Sequence, residues 1–340
     1  MVLHEGMTTV ETAGNSVNRI VVVNTGGTIA MERDEGKDAV SVGEDQPIHR
    51  LATLLSQYAK SEMVDLFQVP SPHMTPEMMA KLAGEIRVHL AREDVAGVVV
   101  THGTDTLEET AYYLDLTIDS DKPVVVTGAM RSSNEVGADG PVNLVESVRV
   151  AIDPRSRGRG TLVVFNDEIH AARFVTKTHT SNVSTFQSPS YGPIGFVTSK
   201  AVSYHQPPSR STVFTVDEQF VPQIPLVKMV AGQEAAWLNW LFDVAIDGLV
   251  VEAFGAGNVP PAVVPIIEAL CARKTPVVVV SRCYNGYVQD VYGYVGGGKQ
   301  LRELGCIFSN GLNGQKARIR LLVLTGAGLR KDELQAHFDF

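Results

Sequence analysis

Ile20-Val21-Val22-Val23-Asn24-Thr25-Gly26-Gly27-Thr28-Ile29-Ala30 decides how the rest of this chain is read. The unbroken run of β-branched residues from Ile20 to Val23 has the composition of a fully buried strand. Gly26 and Gly27 end it at once. Such a pair lets the backbone take a path closed to other residues and lets a neighbouring segment approach closely. Thr28 follows directly, so its hydroxyl is expected at the C-terminal edge of a buried strand, where open α/β sheets bind their ligands. That makes Thr28 a candidate nucleophile. The plainer reading is an ordinary strand-to-loop turn with Thr28 as a cap, and this stretch alone does not separate the two.

Working outward, the same arrangement recurs. Residues 96–100 predict a strand that delivers Thr101-His102-Gly103-Thr104-Asp105-Thr106 and then a helix opening with Glu108 and Glu109, whose carboxylates suit a helix N-terminus. Residues 124–126 predict another strand, followed by Thr127-Gly128-Ala129-Met130-Arg131 and a loop rich in Gly, Asp and Asn up to Asn143. Residues 64–69 read as a strand ending at Pro70-Ser71-Pro72-His73, and residues 48–59 as a helix. A second helix is expected to about residue 92, with Thr75 as N-cap and Pro76 at its first position. Helix 141–152 and strand 161–165 complete an alternation that implies a mostly parallel sheet with helices on both faces. Parallel strands end on one edge, so Thr28 and the Thr104–Asp105 cluster are expected to share a crevice. Residues 31–46, polar and without clear periodicity, read as a mobile loop beside Thr28, the usual place for a lid.

The periodicity weakens over 201–225, which holds Pro207, Pro208, Pro222 and Pro225, and 201–228 is read as a linker. Beyond it, helices at 235–245, 261–273, 315–324 and 331–338 and strands at 248–251 and 277–280 predict a second α/β unit. The expected organisation is a loose extension over 1–18, an N-terminal catalytic α/β domain over 19–200, the linker, and a smaller C-terminal α/β domain over 229–340.

Composition narrows the function. At 340 residues the chain has ample core for one large or two ordinary domains. A formal charge of −9 argues against nucleic acid or an anionic membrane as the main partner, while leaving room for a small zwitterionic substrate. No apolar run approaches the roughly 20 residues of a membrane span, and the first eighteen residues lack the apolar stretch of a secretory signal. The three cysteines (Cys271, Cys283, Cys306) match no metal spacing and argue for a reducing compartment. A cytoplasmic protein with no cofactor and no metal is the expectation.

Two threonine-bearing clusters on one sheet edge point to nucleophilic chemistry. A neutral threonine hydroxyl needs a base, and its methyl group restricts χ1 so that packing can fix the oxygen. Asp105 would accept hydrogen bonds or hold a cation; alternatively Asp105 and Thr106 only cap the following helix.

Thr25-Gly26-Gly27-Thr28-Ile29-Ala30 and His102-Gly103-Thr104-Asp105-Thr106-Leu107-Glu108-Glu109 resemble the two signature motifs of the bacterial-type L-asparaginases, within the asparaginase/glutaminase family. Thr127-Gly128-Ala129-Met130-Arg131 with Asp139-Gly140-Pro141-Val142-Asn143, and Arg173-Phe174-Val175-Thr176-Lys177-Thr178, are similar to the same family. So are Gly255-Ala256-Gly257-Asn258 and Gly314-Gln315-Lys316-Ala317-Arg318. The resemblance spans about residues 19–340, and is closer to the cytoplasmic, type I members.

It implies an asparagine amidohydrolase working by two-stage acyl transfer. Thr28 would attack the side-chain amide carbon, release ammonia and leave an acyl-enzyme that water hydrolyses. Thr104, Asp105 and Lys177 would form the family's polar triad, with Lys177 as proton acceptor and Asp105 also holding the substrate's α-amino group. The Thr104 N–H would lie in the oxyanion hole, the Ala129 carbonyl would receive the amide NH2, and Ser71 would bind the α-carboxylate. Asn258 would reach the site from a neighbouring subunit of an intimate dimer, with dimers pairing into tetramers. A lysine acting as base has to be neutral against a reference pKa of about 10.4; burial lowers that value and a neighbouring carboxylate raises it.

One departure stands out. Family members carry a tyrosine on the loop after the first motif, and here residues 31–49 contain none; Val40 or Ala39 aligns near its place and Ser41 is the nearest hydroxyl. Tyr284, Tyr287 and Tyr292 are candidates to supply one, or are ordinary half-buried aromatics. Pro72 and His73 stand where many relatives have Gln and Asp. The alternatives are an amidase preferring glutamine or another amide, a glutamine-handling transamidase subunit, a nucleotide-binding module and a catalytically retired relative. The transamidase reading expects an extra N-terminal domain, which the eighteen residues before the first strand do not accommodate. The nucleotide reading lacks the further glycines or Gly-Lys-Ser/Thr ending of its fingerprints.

Overall fold

The computed structural model of the chain describes residues 19–34, 39–42, 52–217 and 221–339. The first strand, β1 (Arg19–Asn24), leads to β2 (Met31–Asp34) and β3 (Ala39–Val42), then α1 (Ala52–Leu55) and β4 (Lys60–Asp65). The alternation continues with α2 (Pro76–Leu90), β5 (Val95–Thr101), α3 (Leu107–Thr117), β6 (Val124–Thr127), α4 (Gly140–Ile152) and β7 (Thr161–Phe165). Five short strands follow: β8 (Glu168–Ala171), β9 (Thr176–Lys177), β10 (Phe186–Gln187), β11 (Gly195–Val197) and β12 (Val202–Tyr204).

Eight of these form one sheet in the order β12-β11-β8-β7-β6-β5-β1-β4. From β4 to β7 every pairing is parallel, whereas β8, β11 and β12 extend the sheet antiparallel. β1 lies inside this sheet, and its side chains divide between two cores. Val21 and Val23 join one with Leu82 and Ile86 of α2 and Tyr112 of α3; Ile20 and Val22 join the other with Leu144 and Val148 of α4. All four are fully buried, which is why the run is apolar without alternation. Burying each contributes roughly 1.5–3 kcal/mol.

The C-terminal unit is a parallel sheet in the order β13-β14-β15-β16, formed by β13 (Leu226–Lys228), β14 (Leu249–Ala253), β15 (Val277–Ser281) and β16 (Ile307–Phe308). Its helices are α5 (Val264–Ala272), α6 (Gly298–Glu303), α7 (Gly314–Gly326) and α8 (Lys331–Leu334). α7 is buried around most of its circumference: Ala317, Leu321 and Leu324 enter the same core as α2 and α3 of the larger domain. Arg320 of α7 donates to the Tyr112 hydroxyl of α3 at 2.7 Å. The two sheets are therefore joined through one helix-lined core.

Several expectations need correction. The strand expected at 64–69 lies at β4. As an edge strand it tolerates Lys60, Glu62 and Asp65, while Leu66 and Phe67, part of the misleading apolar run, leave the strand and pack on the core. The expected loop 31–46 contains the antiparallel β2–β3 ribbon, in which Glu32 pairs with Ser41 and Arg33 with Val40; residues 35–38 and 43–46 lie outside the described residues. Of the helix expected at 48–59, residues 48–51 lie outside them, and α1 is the only helix in the remainder. Residues 235–245 form a run of 3-10 turns, Ala235–Phe242, rather than an α-helix. The segment read as a linker includes β12, which pairs with β11 of the large sheet, and β13, which pairs with β14 of the small one.

Candidate active site

Strand register brings the expected residues to one edge. Asn24 pairs with Thr101 across β1–β5 and with Asp65 across β1–β4, and Thr101 pairs with Thr127 across β5–β6. Four strands thus end level, and the segments that follow carry Thr28, Ser71, Thr104 and Ala129.

Glycine lets those segments stack. Gly26 and Gly27 sit at φ 102° and 83°, in the region that favours glycine. A Cβ on Gly27 would fall 2.4 Å from both the N and Cα of Gly103, and one on Gly103 would fall 2.7 Å from the Ser71 Cβ. Thr28 and Thr104 are each the next residue after a member of this apposed pair. Polar groups lock the strand ends: Asn24 Oδ1 accepts from the Gly26 N–H at 3.1 Å and the Thr101 hydroxyl at 3.0 Å, and the Thr25 hydroxyl donates to the Thr101 carbonyl at 2.9 Å.

Thr28 opens a single 3-10 turn, Thr28–Ala30, and is partly exposed. Ile29 is buried against Gly140 at the start of α4; a Cβ there would lie 2.9 Å from Ile29 Cγ1 and 3.2 Å from Ala129 Cβ. Ala129 therefore flanks the Thr28 turn. Its own turn is shaped by Asp139, which accepts from the Met130 N–H, and by Asn143, whose amide donates to the Gly128 carbonyl at 3.0 Å.

Lys177 reaches this edge from β9. Its Nζ donates to Thr104 Oγ1 at 2.9 Å and to Asp105 Oδ1 at 2.7 Å. The lysine side chain is 16% exposed and the Asp105 side chain 58%, so the carboxylate retains a solvent-facing side on which a cationic group of a ligand can sit. Ser71 is buried at 4% exposure, with Oγ accepting from the Asp105 N–H at 3.1 Å and its carbonyl accepting from the Thr106 hydroxyl at 2.8 Å. The alternative in which Asp105 and Thr106 merely cap the helix is not what is seen: Thr106 is the N-cap residue, and neither side chain caps α3.

His102 is a supporting residue. Its Nδ1 lies 2.7 Å from the Gly103 carbonyl, which only accepts, so Nδ1 carries the proton and Nε2 accepts from the Thr110 hydroxyl at 2.9 Å. Burial pulls the ring down to about 4, with the Gly103 carbonyl opposing.

Sequence reading missed a second polar centre beneath Lys177. Glu108, 3% exposed, accepts from the Thr176 hydroxyl at 2.9 Å and the Lys177 N–H at 3.2 Å. Asn313 donates to its other oxygen at 2.8 Å, and Lys316 Nζ lies 3.9 Å from it. Burial pulls Lys316 down to about 8, opposed first by the Glu108 carboxylate. The available signal was Glu108 itself, a carboxylate on the inner face of a helix.

A cleft of ≈ 270 Å³ opens between the domains beside Lys177, with Tyr191, Tyr284, Tyr287 and Arg282 among its walls. The Tyr287 hydroxyl is 3.1 Å from that of Tyr191, whose ring stacks on Phe174. Tyr292 instead packs near Tyr294. Asn258 is held within the C-terminal domain, where its Oδ1 accepts from the Gly298 N–H at 3.2 Å; within one chain it does not join the Thr28 cluster. Among the described residues no group of three His, Cys, Asp or Glu side chains is placed to hold a metal ion, and no helix is long and apolar enough to cross a membrane.

Comparison with known proteins covers nearly all of this framework. The family model described as "Asparaginase, N-terminal" matches residues 19–210, and "Glutaminase/Asparaginase C-terminal domain" matches residues 223–338. A probable L-asparaginase of Deinococcus radiodurans is 38% identical, over 95% of this chain and 98% of its own. L-asparaginase 2 of Escherichia coli is 36% identical, over 92% and 90%. The crystal structure of a probable cytoplasmic L-asparaginase from Campylobacter jejuni matches at a TM-score of 0.83 and 33% identity, covering 94% of this chain and 99% of that one. With both domains matched in order and relatives of like length aligned almost end to end, the chain belongs to the asparaginase family.

Proposed function

We propose that this chain is an L-asparagine amidohydrolase that uses Thr28 as nucleophile. The observation that carries the reading is the pair of bonds from Lys177 Nζ to Thr104 Oγ1 and Asp105 Oδ1, on the loop whose Gly103 stacks against the glycine preceding Thr28. Nucleophile, base and carboxylate are the parts amide hydrolysis needs.

In the first stage the Thr28 oxygen adds to the side-chain amide carbon while Lys177 takes its proton and passes it to the departing nitrogen. The oxyanion is stabilised by N–H groups of the Thr104 loop. Collapse expels the nitrogen, protonated, as ammonia and leaves an aspartyl ester on Thr28. In the second stage water adds to that ester with Lys177 and Thr104 relaying its proton, aspartate leaves, and the Thr28 hydroxyl is restored. Asp105 holds the substrate's α-ammonium group, Ser71 its α-carboxylate, and the Ala129 carbonyl the amide NH2. The reaction uses no cofactor.

The same reading makes the enzyme a cytoplasmic homo-oligomer, dimer or tetramer. Asn258 of one subunit completes the site of its neighbour. The test is ammonia release from L-asparagine, with L-glutamine in parallel, by the purified chain without additives. Rapid release from asparagine with little from glutamine supports the assignment. Release from glutamine alone moves the substrate, and release from neither contradicts amide hydrolysis.

A further inference from the structure

We propose that the buried Glu108–Lys316 pair positions Lys177, so that the placement of this lysine depends on how the C-terminal domain seats on the larger one. The inference rests on the reading that Lys177 takes part in amide hydrolysis.

β9, which carries Lys177, is two residues long and among the described residues pairs only with the equally short β10. A ladder of that length does not hold a side chain rigidly. What holds the segment comes from elsewhere. Lys316 Nζ donates to the carbonyl of Arg173 at 3.2 Å and to that of Val175. Glu108 takes the complementary groups, the Thr176 hydroxyl and the Lys177 N–H. Acceptors of the segment thus meet the ammonium group, and its donors meet the carboxylate. Asn313 adds a bond to each partner, 2.8 Å to Glu108 and 3.2 Å to Thr176.

The origins of these groups give the arrangement its meaning. Glu108 lies in the first turn of α3, three residues after Asp105, so both ends of the Lys177–Asp105 contact are referenced to the same turn. Lys316 and Asn313 belong to the start of α7, in the other domain. Glu108 and Lys316 expose only 4% and 1% of their side chains. A buried pair of this kind is seldom a net source of stability, because desolvation offsets the attraction. Its geometry fits a positioning role better than a stabilising one.

The test measures kcat and KM for ammonia release from L-asparagine in the wild type, Glu108→Gln, Lys316→Met and the double variant, with hydrogen exchange of residues 173–178. Each single variant is expected to lose about 10- to 100-fold in kcat with KM changed less than about threefold, the signature of a misplaced reacting group. The double variant is expected to be no slower than the slower single, because the two act as one unit. Exchange over 173–178 is expected to rise about tenfold or more while β1 stays protected.

A folded Glu108→Gln enzyme within about twofold of wild-type kcat overturns the proposal. So does a loss confined to KM, or unchanged exchange over 173–178. If Glu108→Gln does not fold, Thr176→Val decides, since it removes one contact to Glu108 and keeps the pair; unchanged kcat there overturns the proposal, and a several-fold loss upholds it. Should the wild type release no ammonia from either amide, the functional reading fails, and exchange alone still decides whether the pair holds the segment.

Discussion

Gly27 and Gly103 are in backbone contact: a Cβ on Gly27 would lie 2.4 Å from the Gly103 Cα. This apposition sets Thr28 beside the Thr104 loop, and neither residue has room for a side chain. Gly27→Ala adds a methyl group in collision with backbone at φ 83°. The expected loss is about 3 kcal/mol, from strain and overpacking together. Urea denaturation checks it, and ammonia release is expected to fall further than stability does. An alanine variant with wild-type stability and rate would show that the contact is not required.

Lys177 makes both of its side-chain bonds to the Thr104–Asp105 loop. Lys177→Met keeps the apolar stem and removes the amine. Loss of a positioned base costs about 10²- to 10⁴-fold in kcat, and that is the expected outcome, with a small change in melting temperature. A merely shifted pH optimum at full rate would remove lysine from the role of base.

His102 gives the fold an acid-side weakness. Its ring sits at about 4 in the folded chain against 6.5 for a free histidine. The unfolded chain therefore binds the proton first. Stability from this group is fully present above 6.5 and is lost as the pH falls towards about 4, by up to about 3 kcal/mol. Denaturant midpoints between pH 7 and 4 test this. His102→Gln is expected to flatten the slope while lowering the plateau, since it loses one of two buried hydrogen bonds.

Glu146 acts in the opposite direction. Its carboxylate accepts from the Asp167 N–H at 3.2 Å, and burial first, then the Asp167 carboxylate, push it up to about 8. Stability from this group is fully present below 4.5 and is lost as the pH rises through about 8, on the order of 2 kcal/mol. Glu146→Gln is expected to unfold later than wild type at pH 8.5 and about equally at pH 4.5. Equal midpoints at pH 8.5 would contradict the assignment.

Much of this architecture is legible in residue order because the central parallel strands are buried on both faces and the helix after Thr75 opens with a recognisable cap. β1, β5, β6 and β7 read directly as β-branched runs, and Thr75-Pro76 marks the start of α2. Lys60–Asp65 did not read as a strand because an edge position removes the apolar demand. The β2–β3 ribbon is too short and too polar to announce itself. The candidate site was legible where consecutive residues form one loop, as in Thr28 and Thr104–Asp105. The Glu108–Lys316 pair was not, because 208 residues separate the partners and nothing local in either sequence names the other. Ser71 is a mixed case, since its buried hydroxyl is engaged by the Asp105 N–H.

In the proposed reaction the Thr28 oxygen forms the acyl-enzyme. The most direct test compares ammonia release from L-asparagine by the wild type and Thr28→Ala, with a denaturation curve on each. Thr28 is partly exposed at the head of a short turn, so truncation is expected to change stability by less than about 1 kcal/mol. The expected result is fast release by the wild type and a loss of at least about 10³-fold in the folded variant. Full-rate release by folded Thr28→Ala would contradict the claim and place the nucleophile elsewhere.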